Sequence, residues 1–184
     1  VSGSALPETT AHPLILTVML DPASQARFDA LRRRLFPPAL NHLHAHVTMF
    51  HHLPGAHQPK VMDHLTEACR TMSPAPFTVT GLRFLGRGTA YALGMPGVVG
   101  LRQSLATVWQ SSLTRQDSQP WHPHVTVQNK VAPDEARQVY DALLAEQMPP
   151  GGQAIGVELW SYLGGPWHHL GRQLFRSQPL SRCS

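Results

Sequence analysis

Two stretches of this chain spell nearly the same seven residues. His44-Ala45-His46-Val47-Thr48-Met49-Phe50 and His122-Pro123-His124-Val125-Thr126-Val127-Gln128 both read H-x-H-V-T-apolar, roughly half a chain length apart. In the first copy His44, His46, Thr48 and Phe50 alternate with Ala45, Val47 and Met49, which is the period of a strand with one apolar face. In the second copy His124 and Thr126 alternate with Val125 and Val127 in the same way. The apolar faces are expected to pack on helices. The polar faces must be met by partners, water or a ligand, because an unpartnered buried polar group is costly. A chain carrying this duplication is expected to fold into two related units. If their polar faces meet across a cleft, two imidazoles and two hydroxyls converge on one small volume.

The rest of the pattern fits that constraint. Leu14–Leu20 reads as a buried strand. Its apolar run, Pro13 to Leu20, is far shorter than the roughly 18 residues a membrane span needs. No basic stretch precedes it and Asp21 follows it, unlike a secretory signal, so a cytoplasmic protein without membrane partners is expected. Asp21-Pro22 caps a helix bearing Phe28, Leu31 and Leu35, which Pro37-Pro38 ends. Arg32, Arg33 and Arg34 read as its solvated end, complementing the helix dipole. A helix from Pro59 to Met72 follows, then strands at 77–80 and 89–94 joined by a turn at Gly86 and Gly88. The second half gives a helix from Val98, a strand at 124–128, and a helix opened by Pro133-Asp134-Glu135. A hairpin of strands at 155–163 and 168–176 closes it, around Gly164-Gly165-Pro166. The order is βαβαββ and then αβαββ. The expected class is α+β: two pseudo-symmetric lobes, each a mostly antiparallel sheet with helices on its outer face, and the site in the cleft between them. One domain over 1–184 is expected, with 1–12 a loose N-terminus.

Composition excludes several alternatives. Charged residues make up 14% and apolar residues 42%, which does not suit a disordered chain. The formal charge of +4 comes mostly from Arg, since Lys60 and Lys130 are the only lysines. An excess this modest does not by itself indicate nucleic-acid binding. Cys69 and Cys183 make neither a disulfide framework nor a cysteine zinc site. The 12 histidines are the unusual count.

Two imidazoles titrate near neutrality and suit a general acid and general base pair. Two Thr hydroxyls suit hydrogen bonding to anionic oxygens. A phosphodiester matches this set: one His takes a proton from water or a hydroxyl, the other protonates the leaving alkoxide, and the hydroxyls hold the non-bridging oxygens. Paired H-x-T motifs on strands of two related lobes resemble the two-histidine (2H) phosphoesterase superfamily. His46-Val47-Thr48-Met49-Phe50-His51-His52-Leu53-Pro54 and Trp121-His122-Pro123-His124-Val125-Thr126 are similar to its bacterial 2′-5′ RNA ligase-like branch, and the element order agrees along 14–176. The resemblance implies metal-independent, cofactor-free work on 2′,3′-cyclic phosphate or 2′-5′ phosphodiester groups of nucleotides or RNA. It places catalytic roles on His46 and His124 and phosphate binding on Thr48 and Thr126. RNA ligation occurs within the branch, but its substrates vary, so the resemblance does not assign ligation here. A monomer is expected.

Phe50, on the face of Thr48, and Tyr91 and Trp167, near strand ends, are candidates to stack on a base. Trp109 and Trp160 read as core. A rival reading is a metal site on His42, His44 and His46, alternate residues of one strand. Hydrolytic zinc sites commonly also draw on a carboxylate, and no Asp or Glu lies between Asp29 and Asp63 in that stretch of chain. Metal ligation also leaves the duplicated Thr unexplained. A non-enzymatic rival is an RNA- or nucleotide-binding module of the same fold. His42, His51, His52, His57 and His64 read as ordinary satisfied histidines. His44 and His122 flank the cleft or cap the strand starts, and His168 and His169 open the last strand.

Overall fold

Leu14–Leu20 is strand β1, a β-branched and leucine-rich run that lies inside a sheet and is buried along nearly its whole length. Asp21 then caps α1 (Pro22–Leu35). Its carboxylate accepts hydrogen bonds from the Ser24 N–H at 3.0 Å and the Ser24 hydroxyl at 2.8 Å. Pro22 takes the first helical position, where a missing N–H is harmless. The chain continues through β2 (Val47–Leu53), α2 (Gln58–Arg70), β3 (Ala75–Phe84), β4 (Thr89–Gly94), α3 (Pro96–Val108), β5 (His124–Gln128), α4 (Pro133–Ala145), β6 (Gly152–Tyr162) and β7 (Trp167–Leu174). This computed structural model describes residues 12–176. The expected loose N-terminus, apart from His12, and Cys183 lie outside the described residues. Among the described residues no helix is long and apolar enough to cross a membrane.

All strand pairs are antiparallel. In one lobe β1 lies between β2 and β6, with β7 on the far side of β6; in the other β4 lies between β3 and β5. The lobes join where Ala75–Phe77 of β3 pairs with Gly152–Ala154 of β6. The class is α+β with two related lobes, as expected, but the halves divide differently. The repeating unit is βαβαβ, formed once by β1 to β3 and again by β4 to β6, with β7 added. The units trade their third strands: β3 pairs with β4, and β6 pairs with β1. The exchange has a local cause. β3 runs into β4 through a tight turn in which Gly86 has φ 81° and the Leu85 N–H bonds to the Gly88 carbonyl, so these two strands must be neighbours.

The register fixes which residues share a face. Leu16 pairs with Phe50 and Val18 with Val47 on the face that enters the core, while Thr17 pairs with both Thr48 and Glu158 on the other. In the second lobe Tyr91 pairs with Val125 and Leu82 on the core face. Ala90 and Ala92 lie opposite Thr126 and His124, with Arg83 paired to Ala90. α1 packs across the divide against β5, and α4 packs on β3. One contiguous set of buried side chains runs through both lobes, from Leu14 and Phe28 to Tyr91, Val125 and Leu159.

Candidate active site

The two motif histidines are held in the same way. His46, just ahead of β2, places Nδ1 2.8 Å from the carbonyl oxygen of His44; His124, the first residue of β5, places Nδ1 2.9 Å from that of His122. A carbonyl only accepts, so each Nδ1 carries the hydrogen and each Nε2 is left with its lone pair. This assigns one tautomer to both rings and leaves Nε2 as the atom available for proton transfer. Thr48 and Thr126 follow two residues later on the strands. They are partly exposed, while Val47, Met49, Val125 and Val127 are buried behind them.

Each motif strand is pinned by side chains of the other repeat. Trp121 donates its indole N–H to the Thr48 carbonyl at 2.8 Å, and Arg32 donates from Nη1 to the Thr126 carbonyl at 2.9 Å. Arg102 of α3 donates to the Met49 carbonyl at 3.4 Å and to the Asp117 carbonyl at 2.5 Å. Arg32 is therefore not part of a solvated helix end. It is 5% exposed, also bonds to Asn41 and lies 4.1 Å from the centre of the Phe36 ring. Arg33 stays exposed and Arg34 pairs with Glu146, so the expectation holds for those two.

Electrostatics tie the two imidazoles together. Burial pushes the His46 pKa down from 6.5 to about 4; its bond to the His44 carbonyl opposes this, while the charges of Arg32, His124 and His51 reinforce it. His124 is also lowered, first by burial and then by Arg83, His51 and His122, against the bond to the His122 carbonyl. Without an anion between them, both rings are mainly neutral at neutral pH. A bound phosphate would supply the negative charge that returns a proton to one of them.

Around this pair the walls differ. Trp167 lies against His46 with its ring tilted by 50° and ring centres 4.8 Å apart, and Trp160 lies 6.1 Å from Trp167 and 4.9 Å from His169. A cavity of about 510 Å³ is bounded by Thr17, His44, His46, Glu158, Trp160 and Trp167. A second, of about 690 Å³, is bounded by Arg32, His46, Thr126, Asn129, Lys130 and Trp167. His46 and Trp167 line both. Trp160, expected in the core, instead lines the first cavity and donates its indole N–H to the Thr17 hydroxyl at 2.9 Å. It sits on the Thr17 face because β6 pairs with β1, which its own repeat did not foretell.

Two stacking candidates are displaced from the cleft. Phe50 is fully buried against Trp109 and Arg102. The β1–β2 register slips there: Leu16 pairs with Phe50 and Thr17 with Thr48, leaving Met49 as an extra residue. That bulge reverses the alternation, so Met49 and Phe50 both turn inward. Tyr91 is 1% exposed and packs 6.0 Å from Phe28, on the core face of β4. Neither ring reaches a ligand. Trp109 is core, as expected, and donates to His64 at 2.9 Å.

The remaining histidines separate. His44 bonds to Asp29 at 3.2 Å rather than joining His46, and the strand begins only at Val47, so His42, His44 and His46 do not share a strand face. Among the described residues no three His, Cys, Asp or Glu side chains are grouped to hold a metal ion. His51, expected to be an ordinary satisfied histidine, is bonded to the buried Asp117 and lies near enough to both His46 and His124 to contribute to the lowering of each pKa. The sequence signal was weak: the bulge hides the face of His51, and Asp117 lies in a distant loop.

Two H-x-T motifs on facing strands of a duplicated α+β fold define a two-histidine phosphoesterase scaffold. A sequence profile described as the 2′-5′ RNA ligase superfamily matches residues 20–166, and the chain belongs to that superfamily. Solved structures share the fold at low identity. TT0787 of Thermus thermophilus superposes with a TM-score of 0.63 at 17% identity, covering 91% of this chain and 100% of that one. Escherichia coli LigT complexed with 3′-AMP gives 0.58 at 16%, covering 90% and 99%. LigT complexed with NADP+ gives 0.57 at 16%, covering 92% and 100%. No curated protein matches the sequence.

Proposed function

We propose that this chain is a phosphoesterase acting on 2′,3′-cyclic phosphate or 2′-5′ phosphodiester groups of nucleotides or RNA. The observation that carries this reading is the twofold anchor. Both imidazoles are fixed through Nδ1 to a carbonyl two residues earlier, so two Nε2 atoms are available on strands that carry a Thr hydroxyl each. His46 and His124 form the acid–base pair. One Nε2 accepts a proton from water as the water oxygen bonds to phosphorus. The bond from phosphorus to one ribose oxygen breaks, and the other Nε2–H gives its proton to that oxygen. The product is a monoester, and solvent exchange resets the pair. An RNA hydroxyl in place of water would give ligation by the same proton transfers. Thr48 and Thr126 donate to the non-bridging oxygens, and Trp167 offers its face to a base. The nucleotides bound in the LigT structures, 3′-AMP, NADP+ and ATP, support a nucleotide ligand.

The test is a product-resolved assay on 2′,3′-cyclic nucleotides and cyclic-phosphate-ended RNA, run with and without exhaustive chelation. The expected outcome is a monoester product formed at an unchanged rate after chelation, since every step moves protons between nitrogen and oxygen. Absence of turnover on every such substrate would leave a binding module. Activity lost to EDTA and restored by zinc would replace the paired-imidazole mechanism.

A further inference from the structure

We propose that His51 is a third substrate-contacting histidine of this cleft, held at Nδ1 by the buried Asp117 carboxylate and presenting Nε2 to the phosphate. This rests on the phosphoesterase reading above for its substrate.

The placement comes from the register. Thr48 lies on the cleft face, the bulge turns Met49 and Phe50 inward, and the next residue, His51, returns to the face of Thr48. Its side chain is 41% exposed, while that of Asp117 is 1% exposed. The Asp117 carboxylate accepts the His51 N–H at 2.9 Å, the His52 N–H at 2.8 Å and the His51 imidazole at 3.2 Å. Two backbone bonds would be enough to pin the strand. The third bond orients a ring and leaves its Nε2 unused. Those hydrogen bonds also keep Asp117 ionised, below the usual carboxylate range despite its burial. Asp117 therefore acts as a fixed acceptor for Nδ1–H, as orienting carboxylates do behind other functional imidazoles.

Other titratable and charged groups lie around His51. Asp117 lies behind it, the Arg102 guanidinium bridges the Met49 and Asp117 carbonyls, and His46 and His124 share the cleft. When protonated, His51 donates Nε2–H to a phosphate oxygen. The second repeat has Asn129 at the corresponding position, so this group is present on one side only. It distinguishes two histidines that the motif makes equivalent.

The experiment compares wild type, His51→Gln, His51→Ala and His46→Ala on a 2′,3′-cyclic nucleotide across pH, with inorganic phosphate titrations followed by imidazole NMR. His51 is half-exposed and its backbone bond to Asp117 does not need the ring, so both variants should fold. Asp117→Asn also disturbs two backbone bonds and is the weaker test. The expected result is a loss of roughly tenfold or more in kcat/KM, carried mainly by KM, as for one lost hydrogen bond to a charged oxygen. The His51 ring signals should move on adding phosphate to the wild type. If His46→Ala abolishes turnover while both His51 variants keep wild-type KM, pH profile and phosphate affinity, the inference is overturned and the phosphoesterase reading stands. A wild type that lacks turnover but whose His51 signals still move with phosphate would support the site and remove the catalytic reading. A wild type with neither would remove both.

Discussion

The two lobes repeat one another in the motif and diverge around it. Both hold a histidine by Nδ1 to a carbonyl two residues back, at 2.8 Å and 2.9 Å, and both follow it with a Thr. Beyond that, the lobe built on β1 sets Trp167 against its histidine, with Trp160 and then His169 behind Trp167, and carries His51 further along β2. The lobe built on β4 offers Arg83, Asn129 and Lys130. Arg83 stands in β3 where Glu158 stands in β6: each lies opposite the residue that pairs with the motif Thr, Ala90 in one lobe and Thr17 in the other. The duplication thus supplies the paired His and Thr, and divergence around them supplies an aromatic wall and a cationic one. Under the proposed function, the flat base and the anionic phosphate of a nucleotide would each meet a different surface of such a cleft.

The largest break in this symmetry should come from the reacting atoms themselves. His46→Ala and His124→Ala should each lower turnover by about 10²–10⁴-fold. The double variant should fall little further, since a proton relay lacking one end gains little from the other. Steady-state hydrolysis of a cyclic nucleotide by the three variants checks this, and near-wild-type turnover in either single variant would make that histidine structural. The wild-type profile should be bell-shaped, with limbs belonging to the coupled pair.

Acid stability probes the same pair without substrate. The folded state depresses the pKa of His46 to about 4, so the unfolded chain binds the proton first. The stability this contributes is complete above about pH 6.5 and is lost as pH falls through about 4, by up to about 3 kcal/mol. Denaturant unfolding at pH 7 and near pH 4 should show His46→Gln to be less acid-sensitive than wild type. His124→Gln should shift in the same direction, because its pKa is also lowered.

Smaller effects should follow from the hydroxyls. Thr48→Ala and Thr126→Ala should each cost about tenfold to a hundredfold in kcat/KM, the value of one hydrogen bond to a charged oxygen, with unchanged thermal unfolding. Wild-type kinetics in both would remove the hydroxyls from the site. The smallest effects separate the walls. Trp167→Ala should raise KM for nucleotides by about fivefold or more through lost stacking. Arg83→Gln should act chiefly by weakening the salt dependence of binding to a short RNA. A Trp167 variant with unchanged KM would mean that the base lies elsewhere.

Most of the elements were legible in the chain because their signals are local. Asp21-Pro22 marks the start of α1, the leucine-rich run forms β1, and the glycines at 86 and 88 turn β3 into β4. The candidate pair was legible for a different reason: duplication writes the same alternation twice, and alternation fixes a face. That logic failed at Phe50, where one extra residue in β2 reverses the alternation. It failed again at Tyr91, whose burial depends on a pairing partner rather than on its neighbours in sequence.

By itself the sequence determined the α+β class, the order of strands and helices, the repeat, and the His and Thr pairs carried on its two motif strands. The tertiary structure alone decided that the repeats exchange their third strands, which puts Glu158 rather than Arg83 opposite Thr17. It also decided that Arg32 of one repeat pins the strand of the other, and that Asp117 meets His51 across 66 residues of chain. The physical reason is the range of the interactions. Capping, turn geometry and strand alternation act within a few residues and are written in order along the chain. Register between distant strands, and the partner of a buried charge, are set only when the whole core closes around them.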